Sequence, residues 1–121
     1  MVDSVGVVWS VKMGNLRGLA EKVAHRRYQR ALAVAIDLAP QVTEWLQNNA
    51  QWEDVTGHAR ASLECVVIEG TSSFAMKIKG GGAEAPYVVF LEFDNAGKFA
   101  IIGPALEYWG PIFAEAFRGF V

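Results

Sequence analysis

The sequence predicts an α+β fold, in which a long N-terminal helix and a C-terminal helix pack on a four- to five-stranded antiparallel sheet. Three observations predict this class. Apolar residues recur at a helical period over 16–49 and again over 104–120. Apolar and polar residues alternate over 5–12 and over two segments between 63 and 79. Because 121 residues is the length of one ordinary domain, we expect a single domain spanning 1–121.

The first half contains one strand and one helix. The strand covers 5–12, and Gly14-Asn15 ends it. The helical pattern over 16–49 corresponds to a helix about 50 Å long at 1.5 Å per residue. Pro40 lacks a backbone N–H and collides with the preceding turn, so we expect a kink or a break near residues 37–39.

The strands of the second half are expected within 63–102. The predicted strands are 63–68, 73–79, 87–93 and 98–102. The first two form a hairpin around a turn at 69–72, and a turn at 94–97 precedes the last. The segment 87–93 is almost continuously apolar, as in a central strand that is covered on both faces. Pro104 then suits the first turn of a helix over 104–120, with a bend at Gly110-Pro111.

Charge and cysteine content exclude several classes of function. Eleven Lys and Arg against thirteen Asp and Glu give a net charge of −2, which disfavours DNA binding as the main activity and attraction to anionic membranes. A single cysteine, Cys65, permits no intramolecular disulfide and no cysteine-based metal cluster. No apolar run reaches the ~18 residues of a membrane span, and the N-terminus lacks the pattern of a signal peptide. We expect a soluble protein.

The apolar arc of the long helix is wider than one sheet face needs. At 100° per residue it spans about 220°, against the roughly 100° that covers a sheet. We therefore expect a surface other than the protein's own sheet to cover the remainder. Arg27 falls inside this arc, either extending its guanidinium past the sheet edge or forming an ion pair across a subunit boundary. The candidate interface residues are Arg27, Arg30, Leu19 and Val23.

The titratable residues form no convincing catalytic or metal-binding pattern. His25 and His58 have no ligand at metal-binding spacing, so we predict neither a metal nor another cofactor. Ser62 follows His58 by one helical turn, but no third member of a triad is present, and a local turn or cap bond is expected. Glu92 and Asp94 would point the same way on a strand, where solvation of the strand end explains them as well as acid–base work.

Residues 79–86 are glycine-rich but lack the Lys-Ser/Thr of a phosphate-binding loop. We interpret them as a mobile hairpin tip that orders on docking. The candidate docking residues are Gly80, Gly81, Gly82 and Glu84. The basic cluster at 25–30 is interpreted as a solvated or subunit-contacting face, with contact to nucleic acid as the alternative.

The order of motifs resembles the small tail-component proteins of tailed bacteriophages, which include neck, head–tail joining and tail-completion proteins. The first match is a short strand, then Gly14-Asn15-Leu16-Arg17-Gly18-Leu19, a long helix ending near Trp52, and Thr56-Gly57-His58-Ala59-Arg60-Ala61-Ser62-Leu63. The second is Tyr87-Val88-Val89-Phe90-Leu91-Glu92-Phe93 followed by Pro104-Ala105-Leu106. Asp94-Asn95 stands where the family commonly has Gly-Thr, and Trp52-Glu53-Asp54-Val55 replaces its Pro-Val-Asp. The two matches together span most of the chain.

The resemblance implies a non-enzymatic virion protein. Such a protein forms a homo-oligomeric ring, a hexamer or a dodecamer, at the neck or tail end as a tail-completion protein, a tail terminator or a head-side connector. It would contact neighbouring neck and tail proteins, and DNA would pass through its lumen without sequence-specific binding. It would be assembled in the host cytoplasm and reside in the virion. Thr56, Gly57 and Arg60 would fix the turn from helix to sheet.

The alternative is a small cone-shaped α+β ligand-binding domain or enzyme with an apolar pocket. That class requires polar or ionisable side chains directed into the pocket. The positions expected to face the core are uniformly apolar: Phe74, Met76, Val89, Leu91 and Phe99.

Overall fold

The computed structural model describes residues 4–12, 21–50, 52, 58–70, 73–82, 85–93 and 100–120. The helices and strands, in chain order, are β1 (Ser4–Lys12), α1 (Glu21–Asn49), α2 (His58–Ala61), β2 (Glu64–Glu69), β3 (Ser73–Gly81), α3 (Val88–Phe93) and α4 (Ile102–Phe117), followed by a 3-10 turn (Arg118–Phe120). The class is α+β, as predicted, with the long and C-terminal helices packed on an antiparallel sheet. No helix among these elements is long and apolar enough to cross a membrane.

The sheet has three strands in the order β1-β3-β2, and both pairings are antiparallel. Val7 and Cys65 both lie opposite Ile78, which fixes the register of the two pairs. In β3 buried and half-buried residues alternate along the whole strand, so one side chain in two enters the core. These observations confirm the predicted hairpin and the predicted first strand.

The prediction of a central strand over 87–93 is wrong, because this segment forms the helix α3. Its first turn begins where the N–H groups of Val88 and Val89 donate to the carbonyl oxygens of Ala85 and Pro86. Pro86 has the fixed backbone angle that suits an entering helical turn. A continuous apolar run is equally compatible with a strand and with a short buried helix, so its composition alone did not decide between them.

The prediction of a strand at 98–102 is also wrong for the residues of this segment that the structure describes. Residues 94–99 lie outside the described part of the chain, Ala100 and Ile101 are not in a strand, and Ile102 is the first residue of α4. The C-terminal helix therefore starts two residues before the predicted position 104. The sheet accordingly has three strands in the described residues, rather than four or five.

The helix α1 continues without a break through Pro40. Pro40 cannot donate a backbone bond, and its ring disturbs the carbonyl groups of the preceding turn. Side chains bind the carbonyl oxygens near this point: Gln41 Nε2 donates to Asp37 O at 3.1 Å and Thr43 Oγ1 to Ala39 O at 3.0 Å. These bonds do not replace the one that Pro40 cannot make, which would end on the carbonyl oxygen of residue 36. The expected break is absent, and α1 is buried in the core on both sides of Pro40, which holds the helical path. The first residues of the predicted helix, 16–20, lie outside the described range.

The core lies between one face of the sheet and the two long helices. α1 packs against β2, and α4 packs against β1. Aromatic rings join the layers, since Trp9 of β1 packs on Phe113 and Phe117 of α4 with centroids 5.4 and 5.7 Å away. On the other face of the sheet Val8 is 53% exposed and Ile68 is 46% exposed. The sheet is thus covered by helices on one side.

Candidate functional site

A basic cleft lies where the first half of α1 meets the C-terminal turn. Its volume is about 290 Å³, and its lining is Val23, Arg26, Arg27, Arg30, Gly119 and Phe120. The four α1 residues are spaced i, i+3, i+4 and i+7, so they are neighbours on one side of the helix. We call these six residues the arginine cleft.

The arginine cleft contains three of the four predicted interface residues. Arg27, Arg30 and Val23 line it together, whereas Leu19 lies outside the described residues. Arg26 lies about 100° from Arg27 on a helical wheel, and yet both side chains line the same cleft. A helical wheel positions Cβ atoms only, and an arginine side chain is long enough to reach around the helix surface.

The three guanidinium groups of the arginine cleft lack a counter-charge within the described part of the chain. The ion pairs found there join Lys79 to Glu64 at 3.0 Å and Arg118 to Glu115 at 2.5 Å. Each guanidinium carries five N–H donors in a planar fork that matches a carboxylate or a phosphate. Three like charges within two helical turns repel one another and favour an anionic partner.

The walls of the arginine cleft are both anchored on Phe74 of β3. On the α1 side, the ring of Tyr28 meets Phe74 edge-on at 6.1 Å, and its hydroxyl donates to Gly70 O at 3.0 Å. On the α4 side, the buried Phe117 meets Phe74 at 5.4 Å, three residues before Phe120. Both walls of the cleft therefore contact the same core residue, and these contacts fix the distance between the walls.

Part of the wide apolar arc of α1 is covered by α4. Trp45 stacks on Tyr108 with ring centroids 5.1 Å apart and planes 14° apart. Within the arc Val23 is 46% exposed, and Ile36, about 40° beyond the edge of the arc, is 56% exposed. Val23 belongs to the arginine cleft, so uncovered apolar surface and uncompensated charge occur at the same place.

Arg60 closes the C-terminal end of α1. Its guanidinium donates to the carbonyl oxygens of Gln47, Ala50 (3.3 Å) and Trp52 (2.7 Å), and it lies 5.2 Å above the Trp52 ring. The last carbonyl groups of a helix have no partner within the helix, so a cation there supplies both hydrogen bonds and favourable charge. Arg60 was expected at the turn from helix to sheet. Thr56 and Gly57, expected to act with it, lie outside the described residues.

Glu92 caps the N-terminus of α4. Its Oε1 accepts the N–H groups of Ile101 and Ile102 at 2.8 Å each, and its Oε2 accepts that of Gly103 at 3.0 Å. The side chain is 8% exposed. Sequence reasoning placed Glu92 beside Asp94 on a strand and missed this role; Asp94 lies outside the described residues. The available signal was the absence of Ser, Thr, Asp or Asn at 100–103, where a helix start usually has its own cap.

Ser62 has a structural role. Its hydroxyl donates to Ala59 O at 2.6 Å and accepts the N–H of Gly81 at 2.9 Å, which joins α2 to the end of β3. This confirms the expected local turn bond. His58 is exposed on α2. Among the described residues, no three His, Cys, Asp or Glu side chains come together as metal ligands.

The glycine-rich segment has a shorter loop than predicted. Gly80 and Gly81 belong to β3, Gly82 follows it, and Glu84 lies outside the described residues. Gly80 is buried, and a Cβ atom there would lie 2.7 Å from Leu63 Cδ2. The first two glycines therefore serve strand pairing and close packing rather than loop mobility.

An open groove of about 590 Å³ runs between α1 and β2. Two polar side chains along it are already engaged, since Thr43 Oγ1 accepts the Cys65 N–H at 2.9 Å and Gln47 Nε2 donates to Leu63 O at 3.2 Å. Burial, with a smaller contribution from Glu64, raises the pKa of the Cys65 thiol to about 12. A protonated thiol is a poor nucleophile, so Cys65 is not an activated nucleophile in this groove.

Comparison of the chain with protein-family models, with curated proteins and with solved structures finds no match.

Proposed function

We propose that this protein is a structural virion protein of a tailed phage, which forms a ring at the neck or tail end and joins head to tail as a tail-completion or tail-terminator protein. The order of sequence motifs suggests the family. The observation that carries the assembly role is the arginine cleft, where three arginines without a described counter-charge adjoin the exposed Val23.

The arginine cleft supports a contact between subunits in the following way. A neighbouring subunit that inserts a carboxylate would meet guanidinium groups already held on a rigid helix, and its apolar atoms would cover Val23 and Phe120. Such a contact repeated between neighbours forms a ring where the rotation closes, and the family resemblance implies a hexamer or a dodecamer. In this proposal, DNA passes through the lumen without sequence-specific binding, and neighbouring neck and tail proteins dock on the two ends of the ring. Assembly takes place in the host cytoplasm.

One half of the family resemblance is weakened by the fold. The segment from Tyr87 to Phe93 was matched to an aromatic-rich strand, and here it enters the helix α3. The proposal therefore depends on the first match, around the long helix and Arg60, and on the arginine cleft. A non-enzymatic role is consistent with the polar groups described above, because Glu92, Ser62 and Arg60 are committed to backbone groups.

The alternative of a ligand-binding domain or enzyme would place its site in the groove between α1 and β2. That groove is open rather than enclosed, and its Thr43 and Gln47 side chains already bond to the backbone of Cys65 and Leu63. Glu44 is the carboxylate among its described lining residues, and it is exposed to solvent. A site of that class needs polar groups that are left available for a ligand. We therefore do not favour this second function.

Negative-stain electron microscopy of the purified protein tests the proposal. Wild-type protein should form rings, and Arg27→Glu should assemble poorly while remaining folded by circular dichroism, because charge reversal in a partly desolvated contact costs about 2–5 kcal/mol. Gln29→Glu is the control, since it adds a carboxylate at an exposed α1 position outside the cleft. Compact monomers for the wild type, equal assembly of both variants, or unfolding of Arg27→Glu would contradict the proposed contact.

A further inference from the structure

The exposed side of α1 carries a strip of regularly spaced residues. Arg26, Arg30, Ala33, Asp37 and Glu44 are all exposed. At 100° per residue they fall within a sector of about 60°. Their spacing of four, three, four and seven residues is that of side chains along a helix–helix seam. We call these five residues the charge strip.

The charge strip is basic at one end and acidic at the other. Arg26 and Arg30 precede Ala33, and Asp37 and Glu44 follow it. Within the described part of the chain, none of these four charged side chains forms an ion pair. Ala33, with the smallest side chain of the five, lies between the two halves, where a second helix would approach most closely.

We propose that a second copy of this chain docks on the charge strip, with the two α1 helices antiparallel about a two-fold axis near Ala33. In a two-fold contact, residue i meets residue j and residue j meets residue i. An axis near position 34 brings Arg30 close to the partner's Asp37, with an axial offset of about one residue, or 1.5 Å. The same axis brings Arg26 within about two residues of the partner's Glu44, which a flexible arginine side chain spans.

Charge complementarity selects this occupant and orientation. In parallel, in-register packing Arg30 would face the partner's Arg30, and Asp37 would face the partner's Asp37, so the contact would be repulsive. A nucleic acid or another polyanion lying along the strip would be attracted at Arg26 and Arg30 but repelled at Asp37 and Glu44. A second copy in antiparallel orientation places opposite charges against both the basic and the acidic end of the charge strip.

This pairing is independent of the phage assignment. It uses Arg26 and Arg30, which also line the arginine cleft, so a protomer engaged in the two-fold pair could not offer them to a ring neighbour. The two-fold pair and the ring would therefore compete for these two arginines. A contact made by one helix face is small, so we expect a weak dimer, with a dissociation constant of about 10–100 μM at low salt. The dimer should weaken as salt screens its exposed charges.

Sedimentation of the full chain at low salt, with complementary charge reversals, tests the pairing. Wild-type chains that are not assembled into rings should sediment as dimers at about 300 μM, a concentration set above the expected dissociation constant. Arg30→Glu and Asp37→Arg should each raise the dissociation constant at least about tenfold, because each replaces two attractions per dimer with two repulsions. An equimolar mixture of the two variants should again form dimers, since each reversed residue then meets its opposite charge.

Gln29→Glu changes charge on α1 outside the charge strip and should leave the dimer unchanged, and circular dichroism should show that every variant is folded. A wild type that shows only monomers, or only monomers and rings, up to about 300 μM would overturn the two-fold pairing. A dimer insensitive to both reversals, or a mixture that restores only complexes of more than two chains, would also overturn it.

Discussion

Replacing Glu92 should destabilise the protein more than any other exchange of a single carboxylate among the described residues. The side chain is 8% exposed and accepts three backbone N–H groups at the start of α4. Ile101, which occupies the cap position, has no polar side chain and makes no side-chain cap bond. The first N–H groups of a helix have no partner within the helix, so Glu92 supplies what the local sequence lacks.

The magnitude follows from the donors that would be left without a partner. An unsatisfied buried donor costs about 1–3 kcal/mol, and an anion at a helix N-terminus contributes roughly 0.3–2 kcal/mol more. Gly103 is only partly buried, so water can reach part of this end after the exchange. We expect Glu92→Ala to lower the free energy of unfolding by about 3–5 kcal/mol. Glu92→Gln keeps one acceptor oxygen but turns an amide donor toward another donor, so about 1.5–3 kcal/mol is expected.

Urea denaturation followed by circular dichroism measures both changes. The matched control is Glu107→Gln, which exchanges an exposed carboxylate on α4, the helix that Glu92 caps, and should change the free energy of unfolding by less than about 0.5 kcal/mol. If Glu92→Ala lies within that same margin of the wild type, the carboxylate does not hold the helix start, and the reasoning is refuted.

Three other exchanges probe packing, capping and burial. Gly80→Ala should cost about 1–3 kcal/mol by denaturation, because its Cβ would lie 2.7 Å from Leu63 Cδ2, whereas Gly119→Ala, with nothing within 4 Å, should be near neutral. Arg60→Ala should cost about 2–3 kcal/mol and Arg60→Lys nearly as much, since an ammonium cannot span the same carbonyl groups; a fully stable lysine variant would contradict the cap. Because the pKa of Cys65 is raised from 9.0 to about 12, the contribution of this thiol to stability should be constant below pH 9 and fall between pH 9 and 12, where the unfolded thiol loses its proton first. Denaturation of Cys65→Ala over the same pH range should show a smaller fall, and an identical profile would argue against burial of the thiol.

The strands with strict alternation could be predicted from the sequence. In β3 every second residue is buried, and that period specifies both the strand and its inward face. The same reasoning failed for 87–93, where almost every residue is apolar and the period is lost. Pro86 suits the turn that begins helix α3, but the helix also depends on its packing beside the sheet, which local composition does not reveal.

The start of α4 and the arginine cleft could not be fully predicted either, because each depends on contacts between residues that are distant in the sequence. The cap at Ile101 comes from Glu92, nine residues earlier, so no cap pattern within the helix reveals it. The arginines of α1 could be recognised from their spacing, but their association with Phe120 depends on the packing of α1 and α4 around Phe74. Interactions between elements, rather than patterns within them, determined what sequence reasoning missed.

Removal of this protein from its parent phage tests the proposed neck function most directly. Electron microscopy of lysates that lack the protein should show filled capsids and separate tail tubes, either unjoined or with defective tail ends, because neither shell closure nor tube polymerisation needs a neck ring. Purified wild-type protein added to the extract should restore joined virions. Normal joined virions without the protein, or a defect in capsid shape or in the start of DNA packaging, would contradict the account.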